Sequence, residues 1–263
     1  MKRTMKLLPL LLAMLLLACA CNAPSAAGNA PAAAGDYTKK LLKPTELVIG
    51  MSPDYPPYES LEGETLVGFD IELMEAVGES LGLEVVWSMM DFDTIIMAMQ
   101  SGQVDCGVSG FTWTQERVDA GILFSTPYVD SAQVVFVHEE SDIQTVEDLH
   151  GTSVYASLGT TGAMSLEDLG YEDLTIVPGS DYQMAFQMLA EKQVDGVAVD
   201  VGVGQSHIDN GRPFRALEPA LLEEENHVVF APGMEDVKTA VDGAIAEFMK
   251  TEAYKELRVK FGL

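Results

Sequence analysis

Arg117 is the only arginine or lysine between Lys43 and Lys192, in a chain of 263 residues with a formal net charge of -26. Its guanidinium group carries a planar fork of donors that matches the two oxygens of a carboxylate. The same side chain could instead form a solvated ion pair with Glu116 or Asp119, which would contribute little to stability. Arg117 is therefore a candidate ligand-binding residue only if other groups converge on it.

Two further stretches could complete a site for a zwitterion. The sequence GTTG at Gly159–Gly162 ends one expected strand and opens an expected helix, so its backbone N–H groups and the hydroxyls of Thr160 and Thr161 could hold the same carboxylate. Asp200, at the end of another expected strand, could accept a hydrogen bond from an ammonium group. Taken alone, GTTG could be an ordinary helix cap and Asp200 a turn residue.

Aromatic residues could cover the apolar part of such a ligand, namely Tyr55 in SPDYPPY and Phe92 in DFD. Either ring could equally belong to the core. No Ser-His-Asp or Cys-His grouping and no metal-ligand spacing is evident. We therefore expect a binding protein and not an enzyme, with no cofactor and no metal. The histidines lie outside the stretches quoted so far: His138, His150, His207 and His227.

The elements that would position these residues alternate between strands and helices from about Lys43 onward. ELVIGMS at 46–52 predicts a buried strand, and FDIELMEAVGESLG at 69–82 predicts a helix with Asp70 as its N-cap. Strand–helix–strand order of this kind predicts an α/β fold with a parallel sheet covered by helices. The apolar face of the predicted helix consists of Ile71, Met74, Val77 and Leu81.

Two segments of the chain resemble each other. MQSGQVDCGVSG at 99–110 and LAEKQVDGVAVD at 189–200 both run from a helix end through Gln-Val-Asp into an apolar strand. This echo predicts two similar lobes with Ser109–Gly110 and Asp200 at equivalent strand ends. Because ligands of open α/β sheets bind beyond the carboxyl ends of the strands, two facing lobes would place both ends in one cleft.

The N-terminal residues indicate export. Basic MKRTMK precedes the apolar run Leu7–Ala18, which is too short to span a bilayer as a helix, so we assign residues 1–18 to a signal peptide. LLAC resembles a bacterial lipobox with Cys19 as the lipidated residue and Cys21 as a second candidate; a plain secretory peptide is the alternative. Residues 19–43, rich in Ala, Pro and Gly, predict a flexible tether. The third cysteine, Cys106, has no partner for a disulfide within the folded part.

Composition narrows the class of protein further. A hydrophobic content of 48% favours a globular chain over a disordered one. The strong negative charge excludes nucleic acid as a partner, since phosphate binding requires basic patches. We expect an exported monomer, at the cell surface or in the periplasm, that is anchored to the membrane by its lipid.

Seven segments in this order strongly resemble one known family: VIGMSPDYPPYES, LVGFDIELMEAVGESLGL, DFDTIIMAMQSGQVD, TWTQER, LFSTPY, TVEDLHGTSVYASLGTTG and VDGVAVD. The family is the amino-acid-binding solute receptors of bacterial ABC importers, extracellular solute-binding protein family 3, and the resemblance extends from about Glu46 to Leu263. It implies two similar α/β lobes joined by two hinge strands, the type II periplasmic-binding-protein-like fold, with a ligand cleft between them. The implied bounds are 44–132 and 229–263 for lobe 1, and 133–228 for lobe 2.

The resemblance also implies roles for individual residues. Arg117 would pair with the α-carboxylate of an amino acid, assisted by Thr161 and its N–H group. Asp200 would hold the α-ammonium group, and Tyr55 and Phe92 would enclose the side chain. The other residues implied at the site are Ser52, Ser109, Gly110, Thr112, Ser157, Thr160 and Gly162.

One departure bears on specificity. Family members that bind cationic amino acids often carry an acidic residue where this chain has Ser52, which argues against a Lys, Arg or His ligand, although Asp54 and Glu59 lie close in sequence. The expected function is capture of a polar L-amino acid and its delivery to the permease subunits of an ABC importer. The alternatives are a dehydratase on the same scaffold and a ligand-sensing receptor.

Overall fold

The alternation of strands and helices is present in the computed structural model, which describes residues 36–263. The predicted signal peptide, both candidate lipidation sites and residues 19–35 of the predicted tether lie outside the described residues. Within the described part, no helix is both long and apolar enough to cross a membrane.

Thirteen strands lie in the described part, and several of them are short apolar runs that contain two or more valines. Such runs are typical of strands that are covered on both faces of a sheet. The strands are β1 (Glu46–Met51), β2 (Asp54–Tyr55), β3 (Glu59–Glu62), β4 (Thr65–Val67), β5 (Glu84–Met89), β6 (Cys106–Thr112), β7 (Leu123–Phe124), β8 (Val129–His138), β9 (Ser153–Ser157), β10 (Thr175–Gly179), β11 (Gly196–Asp200), β12 (Phe214–Ala216) and β13 (Leu222–Phe230).

The helices connect these strands and cover the sheet. They are α1 (Phe69–Leu81), α2 (Phe92–Gln100), α3 (Gln115–Asp119), α4 (Thr161–Asp168), α5 (Tyr182–Ala190), α6 (Val201–Asp209), α7 (Glu235–Phe248) and α8 (Glu252–Phe261). Two short 3₁₀ helices span Asp36–Lys40 and Val146–Leu149.

Ten of the strands form one sheet with two equivalent halves. The order is β10-β9-β11-β8-β13-β6-β1-β5, with β12 paired to β8 and β7 paired to β13. In lobe 1, β1 pairs in parallel with β5 and β6; in lobe 2, β9 pairs in parallel with β10 and β11. β6 and β11 thus occupy matching positions, and the predicted two-lobed α/β fold is confirmed.

The two lobes are joined through β8 and β13. These strands run antiparallel, with register pairs from Leu222↔Gln133 to Asn226↔Val129. β13 continues into lobe 1 beside β6, and β8 continues into lobe 2 beside β11. We call the paired segments 129–133 and 222–226 the hinge ladder.

Helix α1 differs from its predicted start. Ile71, Met74 and Val77 are buried as expected, but Asp70 is not the N-cap: that position is Gly68, whose φ is 147°. A Cβ atom on Gly68 would lie 2.0 Å from the carbonyl oxygen of Tyr58, so only glycine fits there. Asp70 is the second residue of the helix, and it is buried.

The folded body begins earlier than the sequence indicates. Residues 36–43 were expected to belong to the tether, yet Asp36–Lys40 forms a 3₁₀ helix and the side chains of Tyr37 and Leu41 are buried in the largest apolar cluster. The prediction of a tether to residue 43 is therefore wrong for this segment. The side chains of Tyr37 and Leu41 dock it, together with a 2.8 Å hydrogen bond from the Leu42 N–H group to Oδ1 of Asp105.

Candidate functional site

A cavity lies between the two lobes, at the carboxyl ends of β1, β6 and β9. Its volume is about 400 Å³, which includes space at its mouth that is open to solvent. Strands and helices of both lobes contribute to its wall, so the cavity has the position expected for a ligand site in this class of sheet. The lining residues are Ser52, Asp54, Tyr55, Phe92, Ser109, Gly110, Arg117, Gln133, Ser157, Thr160, Thr161, Ser180 and Tyr182.

Arg117 is buried at this cavity and is not a solvated ion pair. It lies in the short helix α3, whose N-cap Thr114 accepts a hydrogen bond from the Arg117 N–H group, and its side chain is only 5% exposed. The guanidinium lies over the rings of Phe92 and Phe111, 5.8 and 5.3 Å from their centroids. Burial lowers the pKa of Arg117 to about 10, so the group remains cationic at neutral pH.

Two backbone carbonyl groups hold the guanidinium from opposite lobes. Nη1 donates to the carbonyl oxygen of Thr112 at 2.5 Å, and Nη2 donates to that of Gly159 at 2.8 Å. Among the described residues no carboxylate lies within ion-pair distance of Arg117. The cation is thus fixed in place while its charge is not neutralised by direct contact.

The GTTG stretch is a helix start that faces the cavity. Thr160 is the N-cap of α4, and its Oγ1 accepts a hydrogen bond from the Ala163 N–H group. Thr160 and Thr161 line the cavity, whereas Gly162 does not. A Cβ atom on Gly162 would lie 2.6 Å from Oε1 of Gln133, so this glycine allows close packing of the helix on β8 and is not a contact of the cavity.

Three aromatic rings enclose the cavity, those of Tyr55, Phe92 and Tyr182. Phe92 stacks on Phe111 with a centroid distance of 4.6 Å, and Tyr55 packs against Tyr58 and Tyr182. Tyr182, at the start of α5, was not predicted from the sequence. Its helix was expected, but nothing in the sequence indicated that the first residue would reach across to Tyr55.

Asp200 is not among the residues that line the cavity, and its contact with an α-ammonium group stays a prediction. Its side chain is 1% exposed, and its carboxylate accepts hydrogen bonds from Tyr58 Oη at 2.9 Å, from Ser131 Oγ and from the Gly202 N–H group at 2.9 Å. The last bond makes it the N-cap of α6. Burial, with a smaller contribution from Glu224, raises the pKa of Asp200 to about 7. It lies behind Tyr55, whose Oη accepts a 3.4 Å hydrogen bond from the Asp200 N–H group.

Thr112 also lies outside the lining of the cavity. It contributes its carbonyl oxygen to Arg117, as described above, and its side chain is buried. Thr112 is thus placed to orient the guanidinium.

Asp54 is a lining residue that sequence reasoning noted only for its position near Ser52. Its Oδ1 accepts a hydrogen bond from Ser52 Oγ at 2.8 Å, and its Oδ2 accepts one from the Tyr182 N–H group at 3.1 Å. The second bond links the lobes. Burial raises the pKa of Asp54, and the nearby Asp181 adds to the rise. Asp54 therefore supplies a carboxylate at the cavity wall, where Ser52 hydrogen-bonds to it.

Glu224 is a second buried acid that the sequence analysis missed. It lies in the run Glu223–Glu225, which resembles an ordinary solvated charge run. In the structure its two neighbours are exposed, while Glu224 is 8% exposed and hydrogen-bonded to two cavity residues. Oε1 accepts from Gln133 Nε2 at 2.6 Å and Oε2 accepts from Thr161 Oγ1 at 2.8 Å.

Ser109 is oriented by a pair of buried acids beneath the cavity. Its Oγ accepts a hydrogen bond from the Ser52 N–H group at 3.2 Å and donates one to Glu59. Glu59 lies beside Asp70, which accepts a 2.8 Å hydrogen bond from Tyr128 Oη. Burial raises the pKa of both acids, that of Asp70 to about 6. Glu59 is therefore a support for Ser109 and not a lining residue.

The arrangement is suited to holding a small charged molecule. A buried guanidinium and a helix start offer donors to a carboxylate, Asp54 offers an acceptor to a cation, and aromatic rings cover the remaining surface. None of the four histidines lines the cavity. The chemistry that these groups support directly is binding.

Comparisons with known proteins give results consistent with this geometry. The family model described as "Bacterial extracellular solute-binding proteins, family 3" matches residues 47–263. The "Arginine-binding extracellular protein ArtP" of Bacillus subtilis is 36% identical over 149 residues, which are 57% of this chain and 56% of that protein. The "L-cystine-binding protein TcyJ" of Escherichia coli K12 is 27% identical over 220 residues, 82% of each chain.

A similar solved structure is that of "An ancestral arginine-binding protein bound to arginine". It has a TM-score of 0.78 and 29% identity, and the match covers 82% of this chain and 98% of that one. Since the family model covers most of the chain, the conclusion is direct: this chain belongs to the bacterial extracellular solute-binding proteins, family 3.

Proposed function

We propose that the protein captures an amino acid between its two lobes outside the cytoplasm and delivers it to the permease subunits of an ABC importer. The observation that carries this proposal is the burial of Arg117 at the cavity and the hydrogen bonds that hold it there. A buried guanidinium fixed by two carbonyl groups, without a contacting carboxylate, presents its charge to the cavity. An α-carboxylate is the complement of that fork, and Thr160 and Thr161 lie beside it.

We propose further that the ligand is a cationic amino acid. Three carboxylates lie in or directly behind the cavity wall, Asp54, Asp200 and Glu224, and Arg117 is the single cation among them. The raised pKa of Asp200 reduces this excess of negative charge without removing it. A ligand with one carboxylate and two cationic groups carries a net positive charge, which opposes this excess of negative charge. The arginine-binding names of similar proteins point the same way.

Asp54 supplies the acidic contact that Ser52 lacks. An acid need not stand at position 52 itself to reach a side-chain cation in the cavity. Asp54 accepts a hydrogen bond from Ser52 and lines the same cavity, so we assign recognition of the side-chain cation to Asp54.

Isothermal titration calorimetry of the purified protein against the twenty amino acids tests both statements. We expect arginine or lysine to bind at least about tenfold more tightly than glutamine, because a charge-assisted hydrogen bond contributes about 1.5–3 kcal/mol. A panel in which no amino acid binds contradicts the assignment of the protein as an amino-acid receptor. Preferential binding of a neutral amino acid contradicts the proposal of a cationic ligand and the role of Asp54, but not the assignment as an amino-acid receptor.

We also propose the attachment and the lobe bounds that the sequence indicates. Lipidation at Cys19, with Cys21 as the alternative, would hold the protein at the outer face of the membrane as a monomer. Incorporation of labelled palmitate that is lost in Cys19→Ala and kept in Cys21→Ala would support Cys19. The bounds near residues 132 and 228 lie at or just beyond the hinge ladder, and limited proteolysis with and without ligand tests whether the lobes behave as units.

A further inference from the structure

We infer that Glu224 makes the site require an α-ammonium group, so that a carboxylate alone is not accepted. This inference rests on the proposed function and adds a specificity-determining residue to it. Glu224 lies on β13 in the hinge ladder, buried between the exposed residues Glu223 and Glu225. It does not line the cavity, yet both of its oxygens accept hydrogen bonds from residues that do.

The partners of Glu224 come from separate elements around the carboxylate end of the cavity. Gln133 lies on β8, the other strand of the hinge ladder, and Thr161 is the first residue of α4. The Thr161 hydroxyl donates its one hydrogen bond to Glu224. Thr161 can therefore offer a ligand only its backbone N–H group and an acceptor oxygen. One donor that would hold a ligand carboxylate is thus already engaged by a carboxylate of the protein.

The charge of Glu224 acts on the groups that would select between a carboxylate and an amino acid. Glu224 is the main source of negative charge acting on Arg117 and supports its protonated form, with Glu116 second. Glu224 contributes to the raised pKa of Asp200, and both acids contribute to the raised pKa of Tyr55. The remaining groups beside Glu224 are neutral: Thr112, Gln133 and Thr161.

Glu224 therefore offsets part of the positive charge of Arg117 from within the protein, although it makes no ion pair with the guanidinium. A ligand that brings only a carboxylate to this end adds a negative charge beside two buried acids. The ammonium group of an α-amino acid offsets that added charge. A purely structural role for Glu224 does not require ionisation. A glutamine could fill the same space and satisfy Gln133 and Thr161, without the cost of burying a charge.

The test compares two ligands on four proteins. The ligands are the amino acid of highest affinity in the panel and its α-deaminated analogue, which for arginine is 5-guanidinopentanoate. The proteins are the wild type, Glu224→Gln, Glu224→Asp and the matched control Glu225→Gln on the exposed side of the same strand. Dissociation constants are measured by calorimetry at pH 7.5, after thermal melting has shown that each variant is folded.

We expect the deaminated analogue to bind Glu224→Gln at least about tenfold more tightly than it binds the wild type. Glu225→Gln and Glu224→Asp should keep the wild-type ratio between the two ligands, because they leave the charge at position 224. Tighter binding of an analogue cannot result from damage to the fold. An analogue that binds Glu224→Gln no better than the wild type overturns this inference alone, whereas a wild-type protein that binds no amino acid overturns the proposed function together with it.

Discussion

The guanidinium of Arg117 donates from Nη2 to the carbonyl oxygen of Gly159 across the cleft, at 2.8 Å. Arg117 belongs to lobe 1, and Gly159 follows β9 of lobe 2 with a φ of 74°. The cation that we assign to the ligand carboxylate is therefore also a bond between the lobes. Positioning of the ligand and approach of the lobes depend on the same side chain.

Replacement of Arg117 by lysine should weaken amino-acid binding about 10- to 100-fold even though the charge is kept. A single ammonium group cannot hold the carbonyls of Thr112 and Gly159 and also offer two parallel donors to a carboxylate. Calorimetry with the preferred amino acid measures the change. Arg215→Lys is the matched control, because Arg215 also donates to two carbonyl groups, those of Ser141 and Ile143, away from the cavity. Near-normal affinity in Arg117→Lys would place the ligand carboxylate elsewhere.

Replacement of Asp54 by asparagine should reduce the affinity for arginine about tenfold or more and change that for glutamine little. Asparagine keeps an acceptor for Ser52 or for the Tyr182 N–H group, so the change removes the charge and not the local fold. The exposed Glu62 of β3 provides a control in Glu62→Gln. Equal losses for arginine and glutamine would indicate that Asp54 acts only as a contact between the lobes.

Replacement of Asp200 by asparagine should make the ligand-free protein relatively more stable as the pH rises. The pKa of Asp200 is raised from 3.8 to about 7, so its proton stabilises the fold below about pH 4 and this contribution is lost as the pH rises through 7. Asparagine cannot ionise. The variant's free energy of unfolding, minus that of the wild type, should therefore grow by about 1–3 kcal/mol between pH 5 and pH 8.

Urea denaturation at several pH values measures this difference. Comparing variant with wild type matters because His207 acts in the opposite direction. Burial lowers the pKa of His207 to about 4, so its contribution is lost as the pH falls from about 6.5 toward 4. Asp168→Asn, on the exposed end of α4, is the control. A difference that stays constant with pH would show that Asp200 is ionised in the folded protein throughout.

Two helical glycines should respond to alanine in opposite ways. In α6, a Cβ atom on Gly204 would lie 2.0 Å from the buried ring of Phe136, so Gly204→Ala should destabilise the protein by about 1–3 kcal/mol. In α7, nothing lies within 4 Å of the equivalent position on Gly243, and Gly243→Ala should stabilise by about 0.5–1 kcal/mol. Chemical denaturation of both variants measures these changes. The same sign for both would mean that space at α6 does not decide the outcome.

The sequence was sufficient for the order of elements and for part of the site. Apolar runs and amphipathic stripes report local burial, which is why β6, β11 and helix α1 could be predicted near their observed bounds. Nine of the twelve residues implied at the site line the cavity: Ser52, Tyr55, Phe92, Ser109, Gly110, Arg117, Ser157, Thr160 and Thr161.

The remaining residues could not be placed because their partners are remote in sequence. Asp200 turns away from the cavity because Tyr58 and Ser131 hold its carboxylate. Asp54 and Glu224 lie among residues typical of solvated surface, and hydrogen bonds from Tyr182 and Thr161 fix them beside the cavity. Local patterns carry no information about such contacts, which the assembled sheet creates.

The hinge ladder has a mechanical consequence. Because β8 and β13 remain paired over five register positions between the lobes, any rotation of one lobe against the other must twist this two-stranded ribbon as a torsion element. Glu224 and Gln133 lie within the ribbon and hydrogen-bond to each other across it. A twist of the ribbon therefore acts on a pair of side chains of which one, Glu224, also holds Thr161 at the cavity wall.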